Sequence, residues 1–459
     1  MHTSIGTLTG ETVELLQQLI RNQCVNDGRP ESGNEQVSAM LLRDEIEGLG
    51  LDYELIETEP GRTSLITRYP GTDPDAPALC LMGHTDVVPV NADGWTHDPF
   101  GGELITSSEG VPEVWGRGAV DMLNLTSSMF VAFRDVVRTG TRYPGDIVYF
   151  AVADEEAGGV LGAAPIVEHQ WDLVQCDYVL TEYGGMPSVK DGATTVLLTT
   201  GEKNLAGRLL VVHGTPGHGS MPYATDNALV KAAKIVDRLV SSKVVPRIDD
   251  MFVARVQALG LDADMEERLT DPARIDDALA ELPPALARNV HSCCHATYSP
   301  NIMRSGNKAN TVPDVAKLLI DIRLLPGETQ DDADAHLREV IGPDLLPSVD
   351  IEHVRDDLNN GTALSSTETP MWNALRDSIQ MAYPNASVLP SLVTGATDGR
   401  FFRQRGVPAY GAGLLSHHVT LPEFLSRFHG HDERIDVESL RLTTQLWLDV
   451  LDRLWVRAV

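Results

Sequence analysis

The sequence Ala78-Leu79-Cys80-Leu81-Met82-Gly83-His84-Thr85-Asp86 joins a short apolar run to a histidine and an aspartate. A short apolar run that stops at a glycine is typical of a strand buried on both faces. Two later runs, at residues 146–153 and 178–181, have the same form and end in acidic residues. Helical patterns lie around these runs, at residues 11–21, 35–49 and 122–138. Because strands alternate with helices, we predict an α/β fold with a mostly parallel sheet covered by helices on both sides.

The pattern changes after about residue 200, which predicts a second domain. Strands and helices there alternate as in a small α+β layer, with strands at 205–212, 315–324 and 349–354 and helices at 226–240 and 329–341. The acidic stretch 249–289 is predicted to form surface helices. After residue 362 the first pattern returns, and it ends in a helix at 437–455. We therefore predict a larger domain made of residues 1–199 and 362–459, with residues 200–361 inserted into it.

Composition limits the possible functions. The 459 residues include 36 basic and 66 acidic side chains, a net charge of −30. This charge argues against nucleic acid and against anionic membrane surfaces as partners, since both need a basic surface. The five cysteines are scattered and no secretory signal pattern or long apolar span is visible. We therefore expect a soluble, cytoplasmic protein.

Five segments of the chain carry histidines or carboxylates at the end of a predicted strand or in a glycine-rich turn. Binding sites of parallel sheets lie at the carboxyl ends of the strands, so we expect these segments to meet. Taken singly, each also fits a structural role, such as a core histidine, a helix N-cap or a solvated acidic turn. The residues are His84 with Asp86, Asp121 after Gly116-Arg117-Gly118, Glu155 and Glu156 after Asp154, Glu182, and His429 in His429-Gly430-His431-Asp432-Glu433.

Metal chemistry explains the five segments together better than five separate roles do. In His84-Thr85-Asp86 the aspartate could accept the second ring N–H of a metal-binding histidine. Adjacent carboxylates such as those of residues 154–156 repel one another, and a divalent cation removes that cost. Nitrogen and oxygen ligands without thiolates suit two zinc ions or similar metals. Two such ions about 3.5–4 Å apart form a hydrolytic site.

In these motifs the sequence resembles the zinc-dependent family of aminoacylases, acetylornithine deacetylase, succinyl-diaminopimelate desuccinylase and carboxypeptidase G. The resemblance runs from about residue 10 to the C-terminus and keeps the order of the family's motifs. It implies a zinc-exopeptidase-like catalytic domain with an inserted lid and dimerisation domain. The motifs that carry it are Gly83-His84-Thr85-Asp86-Val87-Val88-Pro89, Gly116-Arg117-Gly118 through Asp121, Asp154-Glu155-Glu156, Thr181-Glu182, and His429 through Glu433.

The resemblance also implies a role for each residue of the metal site. Two Zn²⁺ would bind per subunit, with Co²⁺ or Mn²⁺ as possible substitutes. One would be held by His84 and Glu182, and the other by Glu156 and His429. Asp121 would bridge them. Glu155 would be the general base, and Asp86 would orient His84. In the family a second aspartate often follows the bridging one across a cis peptide bond. Met122 occupies that place here.

Further roles are implied for the inserted domain and for one late loop. In Val212-His213-Gly214-Thr215-Pro216-Gly217-His218, the last histidine would enter the active site of the partner subunit and stabilise the oxyanion. The protein would accordingly be a homodimer joined through its inserted domains. The residues implied in substrate binding are Asn310, Arg323, Gly395 and Arg400.

The functional prediction is a dinuclear zinc amidohydrolase or exopeptidase. It would hydrolyse the amide bond of an N-acyl amino acid or short peptide by a metal-bridging hydroxide, with a glutamate as general base. One alternative is a biosynthetic deacylase similar to the desuccinylase or to acetylornithine deacetylase. Another is a non-catalytic, metal-dependent peptide-binding protein. The cluster His291-Ser292-Cys293-Cys294-His295 lacks the spacing of a zinc site and is predicted to be structural, and His417-His418 is predicted to be a loop feature.

Overall fold

A computed structural model describes residues 2–354 and 364–455 of the chain. The predicted domain boundary between residues 361 and 362 lies outside the described residues. In the described part, α-helices span Ile5–Arg21, Gln36–Ile46, Leu123–Arg138, Ala163–His169, Trp171–Val174, Ala228–Ser241, Asp250–Ala258, Ala263–Leu269, Ile275–Glu281, Pro284–Cys294, Gln330–Ile341, Pro370–Ala382, Gly399–Gln404, Leu421–Arg427 and Val437–Leu454. No helix of these residues is both long enough and apolar enough to cross a bilayer.

The larger of the two main sheets, called the large sheet below, contains nine strands within the described chain. Its central strands are parallel to one another, and antiparallel strands extend it on both sides. This arrangement confirms the predicted α/β fold with a mostly parallel central sheet. The order is Tyr53–Glu59, Arg62–Tyr69, Ile147–Val152, Leu79–His84, Tyr178–Thr181, Ala409–Gly411, Ala193–Glu202 and Ser387–Val393, with Gly184–Lys190 paired to Ala193–Glu202.

The apolar run before Thr85 forms strand Leu79–His84 at the centre of this sheet, and all six residues are buried. Alternate side chains enter two different cores, because successive residues of a strand point to opposite faces. Leu79 and Leu81 pack in the core that includes helices Ile5–Arg21 and Val437–Leu454. Cys80 and Met82 pack in the core on the other face. Burial on both faces fixes the position of His84 at the end of the strand.

A small sheet lies beside the large one and contains five strands in the described residues. On Val315–Leu324 the even-numbered side chains are buried against helices Ala228–Ser241 and Gln330–Ile341. The odd-numbered side chains, including Asp321 and Arg323, lie on the opposite face. The strands are Asn204–Leu205, Arg208–His213, Thr297–Ser305, Val315–Leu324 and Val349–His353. Two short ladders complete the fold, one of Gly217–His218 with Thr311–Val312 and one of Glu103–Thr106, Pro112–Trp115 and Arg434–Asp436.

Strand Thr297–Ser305 is not recognised from the sequence. Its side chains are mostly exposed or half-buried, so it lacks an apolar alternation, and its ladder is interrupted by a bulge between Pro300 and Ile302. The strand forms because it pairs along the edge of Val315–Leu324.

The acidic stretch after residue 249 forms four helices, Asp250–Ala258, Ala263–Leu269, Ile275–Glu281 and Pro284–Cys294, called the helical insert below. The insert has its own core and also packs through its first helix on strands Ser387–Val393 and Ala193–Glu202 of the large sheet. The chain therefore returns to the large sheet inside the range predicted as the inserted domain. Strand Ala193–Glu202 also continues beyond residue 199. The domain limits at residues 199 and 361 stay a prediction.

Close packing of strand Leu79–His84 on helix Leu123–Arg138 leads to a first prediction. A Cβ atom at Gly83 would overlap the Thr126 hydroxyl and lie 3.0 Å from Thr126 Cα. We expect Gly83→Ala to lower the free energy of unfolding by about 1–3 kcal/mol, the usual cost of overpacking. Gly10→Ala is the control, because Gly10 lies in helix Ile5–Arg21 with open space around it. Chemical denaturation should show the control at least as stable as wild type, and equal stability of Gly83→Ala would contradict the packing argument.

Candidate active site

The first half of the site is built around His84 at the carboxyl end of its strand. Its Nε2 lies 3.3 Å from Asp121 Oδ1 and 3.7 Å from Glu182 Oε2. Glu182 directly follows the neighbouring parallel strand Tyr178–Thr181. The predicted meeting of strand ends therefore brings His84 and Glu182 together, and all three side chains are buried.

The second half of the site shares Asp121 with the first. His429 Nε2 lies 3.1 Å from Asp121 Oδ2 and 3.3 Å from Glu156 Oε2. The two oxygens of Asp121 thus face different histidines. Among the described residues, the groups of histidine, cysteine and acidic side chains that could hold an ion are His84 with Asp121 and Glu182, and Asp121 with Glu156 and His429.

Asp121 lies in the loop before helix Leu123–Arg138 and is not the N-cap of that helix. The N-cap of helix Leu123–Arg138 is Met122, and the Asp121–Met122 peptide bond is cis. The backbone N–H groups of Val120 and Asp121 donate to Glu433 Oε1 at 2.8 and 3.1 Å. Arg117 Nη1 donates to the other oxygen of Glu433 at 2.5 Å. Arg117 and Glu433 lie inside the motifs quoted above, but the sequence did not reveal that they position the shared carboxylate.

Asp86 supports the site in two ways. Its backbone oxygen accepts from His84 Nδ1 at 2.9 Å, while its carboxylate lies 3.5 Å from the same nitrogen. Since Nδ1 donates to this carbonyl, Nε2 is the ring nitrogen directed at Asp121 and Glu182. The Asp86 carboxylate accepts the backbone N–H groups of Glu155 at 3.3 Å and Glu156 at 3.1 Å. Asp86 therefore fixes both the histidine ring and the turn that carries the two glutamates.

The charges of the site are unbalanced in the protein without metal. Burial and neighbouring carboxylates raise the pKa of Glu156 to about 7 and that of Glu182 to about 8. Burial, together with the charge of Glu182, also raises the pKa of Glu155. Hydrogen bonds that the His429 ring donates to the carboxylates of Asp121 and Glu156 raise the pKa of His429 to about 10. Oε1 of Glu156 is buried and has no hydrogen-bond partner among the described residues. The crowded carboxylates, and the Glu156 oxygen without a hydrogen-bond partner among the described residues, are consistent with a site that binds cations.

A cleft of about 620 Å³ opens in front of both groups and is lined by residues of both sheets. Arg323, Gly395 and Arg400 line it, as Glu155 does, whereas Asn310 does not. Arg323 Nε donates to Asp321 Oδ1 at 2.7 Å. Two nitrogens of Arg400 already donate to backbone carbonyl groups, those of Thr397 and Gly158, both at 2.7 Å. The guanidinium therefore joins the loop before helix Gly399–Gln404 to the turn that follows Glu156.

His218 lies outside the cleft of its own chain. It is exposed on the short ladder with Thr311–Val312, and its Nδ1 lies 2.7 Å from Ser220 Oγ. Asn310 is its neighbour, since its backbone oxygen accepts from Gly219 N at 2.8 Å. The predicted oxyanion residue His218 and the predicted substrate residue Asn310 thus lie next to each other, and neither lines the cleft.

Comparison with known proteins identifies the family. The model of Peptidase family M20/M25/M40 matches residues 80–453. The chain belongs to this family. It is 25% identical to aminoacylase-1 of Mus musculus over 96% of this chain and 95% of that protein. It is 26% identical to a probable carboxypeptidase S-like 2 of Dictyostelium discoideum over 82% of this chain and 72% of that protein.

Among solved structures, the M20 family metallo-carboxypeptidase of Sulfolobus solfataricus shares the fold of this chain. It has a TM-score of 0.72 and 17% sequence identity, and the match covers 97% of this chain and 99% of that one. The family and its aminoacylase and carboxypeptidase relatives make this M20 member a metal-dependent hydrolase of amide or peptide bonds. The predicted family and enzyme class are confirmed, which favours catalysis over the non-catalytic alternative.

The raised pKa values lead to a second prediction, for protein freed of metal by a chelator. Glu182 has a folded-state pKa of about 8 against an ordinary value of 4.5, so between these values the folded protein binds more protons than the unfolded chain. Stability therefore falls as the pH rises through this range. We expect Glu182→Gln to raise the thermal midpoint of the metal-free protein more at pH 8 than at pH 5.

Wild-type protein with added zinc is the control and should lose this pH dependence, because the cation compensates the carboxylates. An equal effect of Glu182→Gln at both pH values would contradict the charge crowding at the site.

Proposed function

We propose that the protein is a dinuclear zinc hydrolase that cleaves the amide bond of N-acyl amino acids or short peptides. The observation that carries the proposal is the pair of three-residue groups that share Asp121, with Glu155 beside them in the cleft. Each group offers one imidazole and carboxylate oxygens, a donor set that suits zinc and also Co²⁺ or Mn²⁺. Two bound cations would polarise the amide carbonyl and lower the pKa of a water molecule.

Glu155 is proposed as the general base. Its backbone is fixed by Asp86, and its carboxylate lies in the cleft lining with those of Glu156 and Glu182. Burial keeps its pKa raised, which suits a group that takes a proton from water and returns it to the leaving nitrogen. The neighbouring Glu156 faces His429 instead, so the two adjacent glutamates have different tasks.

The cleft supports a small, partly apolar substrate with a carboxylate. Leu205, Leu319 and Val393 line it together with Arg323. The Arg323 side chain is about one-third exposed, and its guanidinium could donate to a substrate carboxylate beside Asp321. The similarity to aminoacylase-1 over almost the whole chain supports an N-acyl amino acid.

We further propose a homodimer in which His218 completes the site of the partner subunit. The exposed position of His218, outside its own cleft, supports this arrangement. In the partner's cleft its imidazole would stabilise the oxyanion, and Asn310 would bind substrate beside it. A cytoplasmic location is proposed as well, since all five cysteines are buried and free.

The third prediction concerns activity and metal. Chelator-treated protein should be inactive on a panel of N-acyl amino acids and dipeptides, and added zinc should restore hydrolysis of at least one class. We expect Glu155→Gln to reduce kcat by about 10²–10⁴-fold, because the base is lost while the ligands remain. Metal analysis should show wild-type content in Glu155→Gln.

His429→Ala is the matched comparison and should lose one metal per subunit, because it removes a proposed ligand. Near-normal turnover of Glu155→Gln on every substrate that wild type cleaves would show that the base is another residue.

The fourth prediction tests the role of His218 in the partner subunit. Glu155→Gln and His218→Ala homodimers should both be nearly inactive. After subunits are mixed and exchanged, about a quarter of wild-type activity should appear, because half of the dimers then hold one intact site. Unmixed samples serve as controls, and the absence of recovery despite proven exchange would place His218 outside the partner's site.

A further inference from the structure

A buried charge cluster includes Asp154, the first residue of the acidic turn Asp154-Glu155-Glu156. Its cation is Arg62, at the start of strand Arg62–Tyr69, and only 1% of this residue is exposed. Arg62 Nε donates to Glu35 Oε2 at 2.8 Å, and Nη2 donates to Glu35 Oε1 at 2.7 Å. The same Nη2 donates to Asp154 Oδ1 at 2.8 Å. One guanidinium thus holds two carboxylates, which are themselves buried.

Asp154 is the residue at which the chain turns out of strand Ile147–Val152 towards the catalytic glutamates. It has a left-handed backbone conformation, with φ of 70°, which is unfavourable for a side chain of this type and needs support from its surroundings. Its Oδ2 accepts the backbone N–H of Leu161 at 2.7 Å, and its own N–H donates to Glu35 Oε1 at 3.2 Å. The surroundings therefore fix both the backbone and the carboxylate of Asp154.

A single amide joins this cluster to the active site. Asn26 Nδ2 donates to Asp154 Oδ1 at 3.2 Å and to Asp86 Oδ2 at 2.8 Å. Asp86 in turn accepts the backbone N–H groups of Glu155 and Glu156. Arg62 and Glu35 thus hydrogen-bond to Asp154, the first residue of the acidic turn. Asp86 accepts the backbone N–H groups of the next two residues.

The backbone at Gly33 packs closely against the ion pair of Arg62 and Glu35. A Cβ atom at Gly33 would lie 2.6 Å from both carboxylate oxygens of Glu35 and 2.8 Å from Arg62 Cζ. Gly33 has φ of +87°, so the chain passes over the ion pair in a conformation that favours glycine. The loop before Glu35 therefore closes the cluster from solvent.

We propose that Arg62 is a positioning residue for hydrolysis, which holds the turn of residues 154–156 so that Glu155 and Glu156 present their carboxylates to the cleft. The inference rests on the proposed role of Glu155 as general base. In the described chain, Arg62 belongs neither to the cleft lining nor to the candidate metal groups. It acts through its bond to Asp154. Small displacements of a catalytic group lower the rate strongly, whereas substrate binding by the rest of the cleft is kept.

The experiment compares Arg62→Lys and the double variant Arg62→Gln/Glu35→Gln with wild type. The lysine keeps the charge but cannot bond both carboxylates as a planar fork does. The double variant removes one charge of each sign, so it avoids leaving Glu35 as a buried carboxylate without its cation. We expect kcat to fall by about 10²-fold in the double variant and by less in Arg62→Lys, with KM and metal content close to wild type.

A second readout is independent of activity. Hydrogen exchange of the metal-free protein should become faster in the peptide that covers residues 153–162, while peptides of the small sheet stay unchanged. Arg68→Gln is the matched control, because Arg68 lies on the same strand but pairs with Asp146 in a partly exposed bridge. It should match wild type in both measurements.

The outcomes separate the inference from the proposed function. Wild-type kcat and unchanged exchange in a folded double variant would overturn the role of Arg62, as would faster exchange spread evenly over the large sheet. If wild type hydrolyses nothing on the panel, the proposed function fails, and the exchange measurement alone then decides whether Arg62 holds the turn.

Discussion

Crowding of negative charge at the ends of buried strands is the constraint on which the site depends. Asp121, Glu155, Glu156 and Glu182 are brought together, and burial with neighbouring carboxylates raises the pKa of the three glutamates. Two histidines offset only part of this charge. Repulsion among these carboxylates destabilises the metal-free protein, and the same negative charge attracts the divalent cations that a metal-dependent hydrolase needs.

The protein holds these side chains through the backbone as much as through other side chains. Glu433 accepts the consecutive N–H groups of Val120 and Asp121, and Asp86 accepts those of Glu155 and Glu156. In both cases a second, buried carboxylate organises the loop that carries the first. Asp121, Glu155 and Glu156 can therefore line the cleft, because Glu433 and Asp86 accept the backbone N–H groups of the loops that carry them.

The sequence predicted the features that depend on local pattern. The apolar run before His84, the acidic residues after two similar runs, and the helix that follows Asp121 are visible because burial on both strand faces leaves a continuous apolar signal. Their convergence followed from the rule for parallel sheets, and the structure brings His84, Asp121, Glu156, Glu182 and His429 together.

Features that depend on pairing between distant segments were missed. Strand Thr297–Ser305 has no apolar alternation of its own and exists through its neighbour. The attachment of the helical insert to the large sheet follows from contacts that no local pattern encodes. Arg62 and Glu35 are 27 positions apart, and neither stands in a recognisable motif. Their relation to the active site is visible only once the chain is folded.

The two walls of the cleft come from different sheets. His84, Glu156 and Glu182 lie at or just after strands of the large sheet, and Asp121 and His429 lie in loops beside the three-stranded ladder. Leu319, Asp321 and Arg323 project instead from one strand of the small sheet. Under the proposed function, mutations on that strand would change substrate selectivity while the candidate metal ligands stay in place. Because the two sets of residues lie on separate elements, related proteins could differ in substrate specificity and keep the same reaction chemistry.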